Sequence, residues 1–434
     1  MDLSKLKKVY MIGIKGVGMT MLAQFLAQKG VEVSGSDTEE KFMTDDILAK
    51  NGIEVIEGFA PGNIPADADL VIYSTAYSSE TNAEVKEAVE KDLKILTFGE
   101  ALSKIFNVSR GLAVCGTHGK TTTTAWLGYV LDKAGEEPSV MVGAKVEQFS
   151  GSGLVGTSDL LVIEADEYQN KLKSFHPKAV ILNNIEHDHH DFFPTRESYT
   201  SVFEDFIKKI PSKGFLVANY DDPEVKKVSF QCPGKVISYG IDNKEADLIA
   251  RDIKQGSEAT GEAGKQFFRV EMTQDGEKSE LGAFSIGLSG RHNIYNALAV
   301  IATCLEMGLE LKDIRTHLEG FIGTERRMQA LGYFKQVPII DDYAHHPTEI
   351  KTTLAGVKNK FPDKRIITVF HPHTYSRTLA LLEEFGRSFG QSDEVIVLDI
   401  YGSAREKQGG VHARDLVEKI KENNPENKKD NIYY

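Results

Sequence analysis

Short apolar runs alternate with helix-period stretches along the first hundred residues, and each run stops at small or polar residues. Val9 to Ile14 is one such run, followed by a glycine loop and a helix pattern from Met19 to Gln28. Val31 to Val33 restarts a strand that ends in Gly35-Ser36-Asp37, and Leu70 to Tyr73 reads as a buried strand stopping at Ser74-Thr75. Strands of this kind, interleaved with helices, predict a parallel sheet covered on both faces.

Two further α/β stretches follow. Leu112 to Cys115 runs into a glycine loop and a helix, Leu160 to Ile163 ends in Glu164-Ala165-Asp166-Glu167, and Ala179 to Leu182 ends in Asn183-Asn184. Phe215 to Ala218 ends in Asn219. From about residue 246 to 288 the pattern changes to antiparallel strands turning at Gln274-Asp275-Gly276, and a helix follows over 293–308. A third stretch begins near 324, where Ile339-Ile340 ends in Asp341-Asp342, Ile366 to Phe370 in His371, and Val395 to Leu398 in Asp399. No internal repeat is visible, and the polar tail 421–430 alone is of low complexity. The expectation is an α/β chain of three domains, 1–107, 108–322 and 323–434. Ligands of open parallel sheets sit beyond the carboxyl ends of strands, so the polar groups there are the site candidates.

Composition narrows the partners. At 434 residues the chain exceeds one ordinary core, and 41% hydrophobic with 26% charged residues is ordinary for a globular protein. A net charge of −13 argues against non-specific nucleic-acid binding, which needs a Lys/Arg surplus. Cys115, Cys232 and Cys304 show no metal or disulfide spacing, which fits a reducing compartment. No signal-peptide pattern opens the chain and no run is long enough to span a membrane, so a cytoplasmic location is expected.

The most informative stretch is GLAVCGTHGKTTTTAWL, 111–127. Gly116, Thr117, His118, Gly119, Lys120, Thr121 and Thr122 supply what a phosphate site needs: backbone N–H groups, glycines for close approach, a lysine for charge and a hydroxyl for a metal. Two residues separate the glycines where the standard loop has four. Four threonines are poor helix formers and require another reason to open a helix. Thr121, Glu164 at a neighbouring strand end, and the cluster His187-Asp188-His189-His190-Asp191 are candidates for a Mg²⁺ site. No His/Cys/Glu spacing completes a tetrahedral zinc set. The N-terminal loop Gly13-Ile14-Lys15-Gly16-Val17-Gly18, with Asp37 after the next strand, is a degenerate dinucleotide fingerprint. Met21 stands where its last glycine belongs. It suits a diphosphate at a helix N-terminus better than a nicotinamide cofactor. Taken alone, GRHNIYNA (290–297) reads as Asn293 capping a helix with Asn296 exposed.

Read together, GTHGKTTTT, EADE, NNIEHDHHD, GRHNIYNA, ERRMQ, DDYAHHPTEI and PHTYSRT stand in the order seen in the Mur ligase family, which this chain resembles over essentially its whole length. These are ATP-dependent amide ligases of peptidoglycan synthesis with the same shortened phosphate loop. GIKGVGM with GSD is similar to the branch that adds L-alanine to UDP-N-acetylmuramate.

The resemblance implies a Rossmann-like N-terminal domain for the UDP-sugar. It further implies a P-loop-type central domain with a small antiparallel sheet for ATP, and a Rossmann-like C-terminal domain for the amino acid. It implies UDP-sugar contacts from Gly16, Val17, Gly18, Met19, Ser36, Asp37, Ser74 and Thr75. For ATP it implies the loop residues with Asn293, Asn296, Arg327 and Asp342. Mg²⁺, with Mn²⁺ as a substitute, would be held by Thr121, Glu164 and His189. Tyr343, His345, His346 and Arg377 would meet the amino acid, and catalysis would fall to Lys120, Glu164, His189, His346 and Arg377. UDP-N-acetylmuramate, L-alanine and ATP are the implied partners of a monomer or weak homodimer, with no nicotinamide, flavin, nucleic acid or membrane.

Three features depart from the family pattern. Thr374 stands where many members carry Arg, leaving Arg377 with less help. EADEYQNKL leans toward the form of the related ligase that attaches a preformed tripeptide to the same UDP-sugar, which is the alternative reading. The chain ends at DNIYY where members continue through a helix and a strand, so a shortened third domain is expected and a non-catalytic binding protein is a further alternative.

Overall fold

Burial explains why the apolar runs become central strands: Val9, Tyr10, Met11 and Ile12 are all fully enclosed between flanking elements. The computed structural model describes residues 5–149, 151–256, 262, 264–274, 276–402, 409–424 and 426–434. Among them, a first sheet of five parallel strands has the order Glu54–Glu57, Glu32–Asp37, Lys8–Ile12, Leu70–Tyr73, Ile95–Thr97. The order reverses between Lys8–Ile12 and Leu70–Tyr73. The loop from Gly13 and the Ser74-Thr75 pair therefore flank one crevice, at the point where such sheets bind ligands.

A second sheet of ten strands runs Glu277–Ile286, Gln266–Gln274, Leu248–Gln255, Lys235–Gly240, Phe215–Asn219, Ala179–Leu182, Arg110–Cys115, Leu160–Glu164, Ser139–Val146, Gly151–Leu154. The antiparallel strands expected over 246–288 form, and they continue this sheet at its edge. Asp275 of their turn lies outside the described residues. Arg110–Cys115 lies between Leu160–Glu164 and Ala179–Leu182, so the chain leaves it in one direction and returns in the other. Gly116 and Asn183-Asn184 thus face each other across a second switch point.

The helix Lys120–Lys133 begins at that point. Its threonines are buried and three of the hydroxyls have protein partners: Thr121 to Glu164, Thr123 to Asn296 and Thr124 to the Lys120 carbonyl. On the same helix Trp126, the sole tryptophan, is fully buried. Its Nε1 donates to the Leu318 carbonyl at 3.0 Å, and its ring stacks on Phe321 at 5.3 Å.

Ile367–Phe370, Glu394–Val397 and Ile432–Tyr433 form a third, parallel sheet. The expected strand around Ile339-Ile340 does not join it. Val337–Asp341 pairs antiparallel with Gln329–Phe334 as a separate hairpin. Its apolar residues Leu331, Tyr333, Phe334, Val337 and Ile339 are exposed. An apolar pair says that a strand forms, not which strand it pairs with. No described helix is long and apolar enough to cross a membrane.

Candidate active site between the central and third units

At the first crevice, the helix Val17–Gln28 starts immediately after Gly16, so Val17, Gly18 and Met19 form its first turn and present backbone there. The Met19 side chain is turned into the core, and Thr75 is exposed beside Ser74. Asp37 accepts from the backbone N–H of Lys15 at 2.7 Å and of Thr38 at 2.8 Å, so it shapes the loop and is buried in doing so. Ser36 differs from its expected role. It is fully buried and donates to Glu84, on the far side of the strand, because neighbouring strand residues point to opposite faces.

At the second switch point the phosphate loop is built by two left-handed glycines, Gly116 (φ 125°) and Gly119 (φ 79°). A Cβ on Gly119 would lie 2.7 Å from Asn296 Oδ1. Gly119→Ala is therefore expected to cost about 1–3 kcal/mol of stability. It should also weaken ATP binding, measurable by calorimetry on the folded variant. Lys120 Nζ donates to the carbonyls of Gly116 and Thr117 and to Glu167 Oε2, the last two at 3.0 Å.

Asn293 and Asn296 are buried, which corrects the capping reading: Gly290 is the N-cap of the helix Arg291–Glu306. Asn296 accepts from Thr123, and its Nδ2 donates to Asn293 Oδ1 at 3.1 Å, so the pair packs the second helix against the phosphate loop.

Two cavities open beyond these strand ends. The larger, about 1120 Å³, is lined by His118, Thr122, Asn293, Asn296, Arg327 and Asp342 among others. The second, about 660 Å³, shares Gly119 and Thr121 with it and is lined by Lys120, Glu164, His189, Tyr343 and Arg377. Val17 of the first crevice also reaches this second cavity. Thr122, Asn293, Asn296 and Asp342 line the larger cavity and Tyr343, His345 and Arg377 the second, while Lys120 lies in the second, His346 in the larger and Arg327 in both.

Within the second cavity, Thr121 Oγ1 donates to Glu164 Oε1 at 2.8 Å, a pair of oxygen donors suited to a hard cation. Glu164 Oε2 also accepts from the Gly143 N–H at 2.7 Å. His189, whose backbone is left-handed (φ 54°), stands instead with Asp166 and Glu167, its Nε2 3.5 Å from Glu167. Glu167 is 1% exposed and also accepts from Tyr199 Oη at 2.9 Å. Burial opposes its charge, but Lys120 and His189 overcome this and hold its carboxyl down at about 2.

The third unit contributes the remaining groups. Arg377 straddles Asp188 with two bonds, Nε to Oδ1 at 3.0 Å and Nη2 to Oδ2 at 3.2 Å, and both side chains are buried. Burial works against ionisation of Asp188, yet Arg377 holds it well below the usual carboxylate range. His346 caps the helix Pro347–Lys360, its Nδ1 accepting from Thr348 N–H at 3.3 Å, while its buried Nε2 has no hydrogen-bond partner among the described residues. Burial, then the nearby His118, pushes His346 down to about 4. Burial does the same to His345, whose Nδ1 meets the Tyr343 carbonyl at 2.8 Å. Both rings are neutral near pH 7. Arg327 lies over the Tyr343 ring, and Asp342 accepts from the N–H groups of Met328 and Ala344. His118, Glu186 and His346 also bring donor atoms within 4.8 Å, but both His118 nitrogens already face carboxylates, which makes that group an ion pair and not a ligand set.

Three family models match successive stretches of the chain. The Mur ligase family catalytic domain matches residues 8–110, the Mur ligase middle domain 114–304, and the Mur ligase glutamate ligase domain 326–434. The chain is a Mur ligase. This Mur ligase is 37% identical over 415 residues to the UDP-N-acetylmuramate–L-alanine ligase of Aquifex aeolicus, covering 96% of this chain and 88% of that one. It is 39% identical over 399 residues to the enzyme of the same name from Desulfitobacterium hafniense, covering 92% and 85%. In fold it is similar to the UDP-N-acetylmuramate-alanine ligase of Thermotoga maritima, with a TM-score of 0.77, 26% identity and coverage of 96% and 88%. It is also similar to a murein peptide ligase of Psychrobacter arcticus, with a TM-score of 0.72, 25% identity and coverage of 90% and 84%.

Four carboxylates of this Mur ligase's site have roles that the sequence does not assign: Glu186 and Glu349 are given none there, Glu167 stands only as a strand-end residue, and Asp188, a candidate metal ligand, pairs instead with Arg377. Each lies in a motif already singled out. The available signal was a carboxylate just beyond an apolar strand or opening a helix, beside a candidate Lys, His or Arg.

Proposed function

We propose that this chain joins L-alanine to the carboxylate of UDP-N-acetylmuramate at the expense of ATP, in cytoplasmic peptidoglycan precursor synthesis. Three units would act together: 1–107 on the UDP-sugar, 108–322 on ATP and 323–434 on the amino acid. One observation carries the reading: Thr117, Gly119 and Lys120 of the phosphate loop, the Thr121–Glu164 pair and Arg377 all line the second cavity, which Val17 of the first crevice also reaches. The curated relatives' names supply the substrates.

A carboxylate is a poor electrophile, so its oxygen first attacks the γ-phosphorus and the bond to ADP breaks, giving an acyl phosphate. The alanine amine then attacks the acyl carbon, loses a proton, and phosphate leaves. Lys120 carries positive charge to the transferring group, and the backbone N–H groups of 116–122 fix its oxygens. Thr121 and Glu164 would hold a divalent cation, with His189 beside Glu167 and Asp166 as a second donor set. Bound there, Mg²⁺ or Mn²⁺ supplies charge neutralisation. Asn293, Asn296, Arg327 and Asp342 would border the nucleotide. Tyr343, His345, His346 and Arg377 would orient the amino acid or the acyl phosphate, and closure of the third unit excludes water that would hydrolyse that intermediate. At the first crevice, Gly16, Val17, Gly18, Met19, Ser74 and Thr75 would receive the UDP moiety, with Asp37 shaping the loop. A monomer or weak homodimer suffices for this chemistry.

Phosphate release from Mg-ATP with UDP-N-acetylmuramate tests the proposal, with product mass checked. Release that depends on L-alanine, over glycine or L-serine, is the expected result. A requirement for the tripeptide L-Ala-γ-D-Glu-diaminopimelate would move the assignment to the murein peptide ligase reading. UDP-sugar binding without any release would leave a binding protein.

A further inference from the structure

His118 stands in the phosphate loop, yet its imidazole faces away from the loop's own backbone and is gripped from both sides. Nε2 lies 2.9 Å from Glu186 Oε2, on the segment that follows Ala179–Leu182. Nδ1 lies 3.1 Å from Glu349 Oε1, in the first turn of Pro347–Lys360, 231 residues away in the chain. A ring that donates from both nitrogens is an imidazolium. Burial works against that charge, but the hydrogen bonds to Glu186 and Glu349 raise its pKa to about 9.

The two carboxylates are themselves fixed from the third unit. Glu186 Oε1 accepts from Thr348 Oγ1 at 2.7 Å. Glu349 Oε2 accepts from the His345 N–H at 3.0 Å, and Arg327 Nη1 lies 3.7 Å from its other oxygen. Glu349 also lines both cavities, at their junction. One carboxylate of the third unit thus reaches the loop that would carry the ATP phosphates, the backbone N–H that begins the neighbouring histidine pair, and the arginine above Tyr343.

We propose that Glu349 is a positioning residue for phosphoryl transfer, which fixes the His118 imidazole, and through it the phosphate loop, when the third unit is closed over the central one. The proposal rests on the ligase reading above. Glu349 touches no reacting atom. It acts through His118, so that the loop reaches its working geometry in the closed arrangement, where water is excluded.

The test uses Glu349→Gln, His118→Gln and the double variant, each checked for an unchanged melting temperature. Phosphate release is measured with all three substrates, and Mg-ATP binding to the free enzyme by calorimetry. For Glu349→Gln, kcat is expected to fall about 10- to 100-fold. The ATP Kd in the absence of the other two substrates should stay within about threefold, because Glu349 meets the loop only through the His118 ring. The double variant should be no slower than the slower single one, since both changes break the same link. Losses that multiply in the double variant would overturn the proposal, as would a defect confined to ATP affinity or one that tracks a fall in melting temperature.

The ¹⁵N shifts of the His118 ring, identified by their disappearance in His118→Gln, give a second reading that needs no turnover. With a non-hydrolysable ATP analogue the ring should be doubly protonated at neutral pH in the wild type and should lose that state in Glu349→Gln; an unchanged ring would also overturn the proposal. Absence of alanine-dependent release from the wild type would instead defeat the ligase reading, leaving the ring signal to judge the link alone.

Discussion

Lys120→Met is expected to slow phosphoryl transfer by about 10²- to 10³-fold, because the cation aimed at the transferring group is removed from a site that cannot reorganise to replace it. The same change strands Glu167. That carboxylate is 1% exposed and would keep Tyr199 and His189 as its side-chain partners among the described residues. A loss of about 1–3 kcal/mol in stability should therefore accompany the loss of rate. The two effects separate in Lys120→Met/Glu167→Gln, where the melting temperature should recover while kcat stays low. A single variant that keeps more than a tenth of the wild-type rate would refute the role given to Lys120.

Arg377→Met should be nearly as damaging, for a different reason. Arg377 and Asp188 bridge the third unit and the central one through two hydrogen bonds between buried groups. Removing one partner leaves a buried carboxylate without its counter-charge, which typically costs about 3–5 kcal/mol. Here that cost falls on the closed arrangement, so steady-state kinetics should show a lower kcat together with a higher alanine KM. Arg377→Lys restores the charge but not the fork, and should recover only part of the activity. Wild-type kinetics in Arg377→Lys would show that the two-pronged geometry is dispensable.

The sequence disclosed the sheet strands well because parallel strands are buried on both faces, and runs such as Ala179–Leu182 have few other structural explanations. It also disclosed the phosphate loop, since Gly116, Gly119, Lys120 and Thr121 act within a single turn of chain. What it could not disclose was pairing at long range. Nothing in DDYAHHPTEI says that Glu349 meets His118, or in NNIEHDHHD that Asp188 meets Arg377, because those meetings are decided by how the third unit packs on the central one. The Val337–Asp341 strand shows the same limit: its composition announces a strand, while its partner, Gln329–Phe334, is chosen by a local turn. Ser36 illustrates a finer limit. At a strand end, one residue of offset separates a side chain facing the crevice from one bonded to Glu84 in the interior.

Trp126 turns this architecture into an optical instrument. A lone indole sealed from solvent emits toward the blue and is shielded from aqueous quenchers. This one rides on the helix that Lys120 begins and leans on Phe321, just before the chain enters the third unit. Its hydrogen bond to Leu318 and its stacked neighbour tie the emission to the seam between nucleotide loop and closing unit. The unlabelled chain therefore carries a single-site spectroscopic gauge of that seam, with no second tryptophan to dilute the signal.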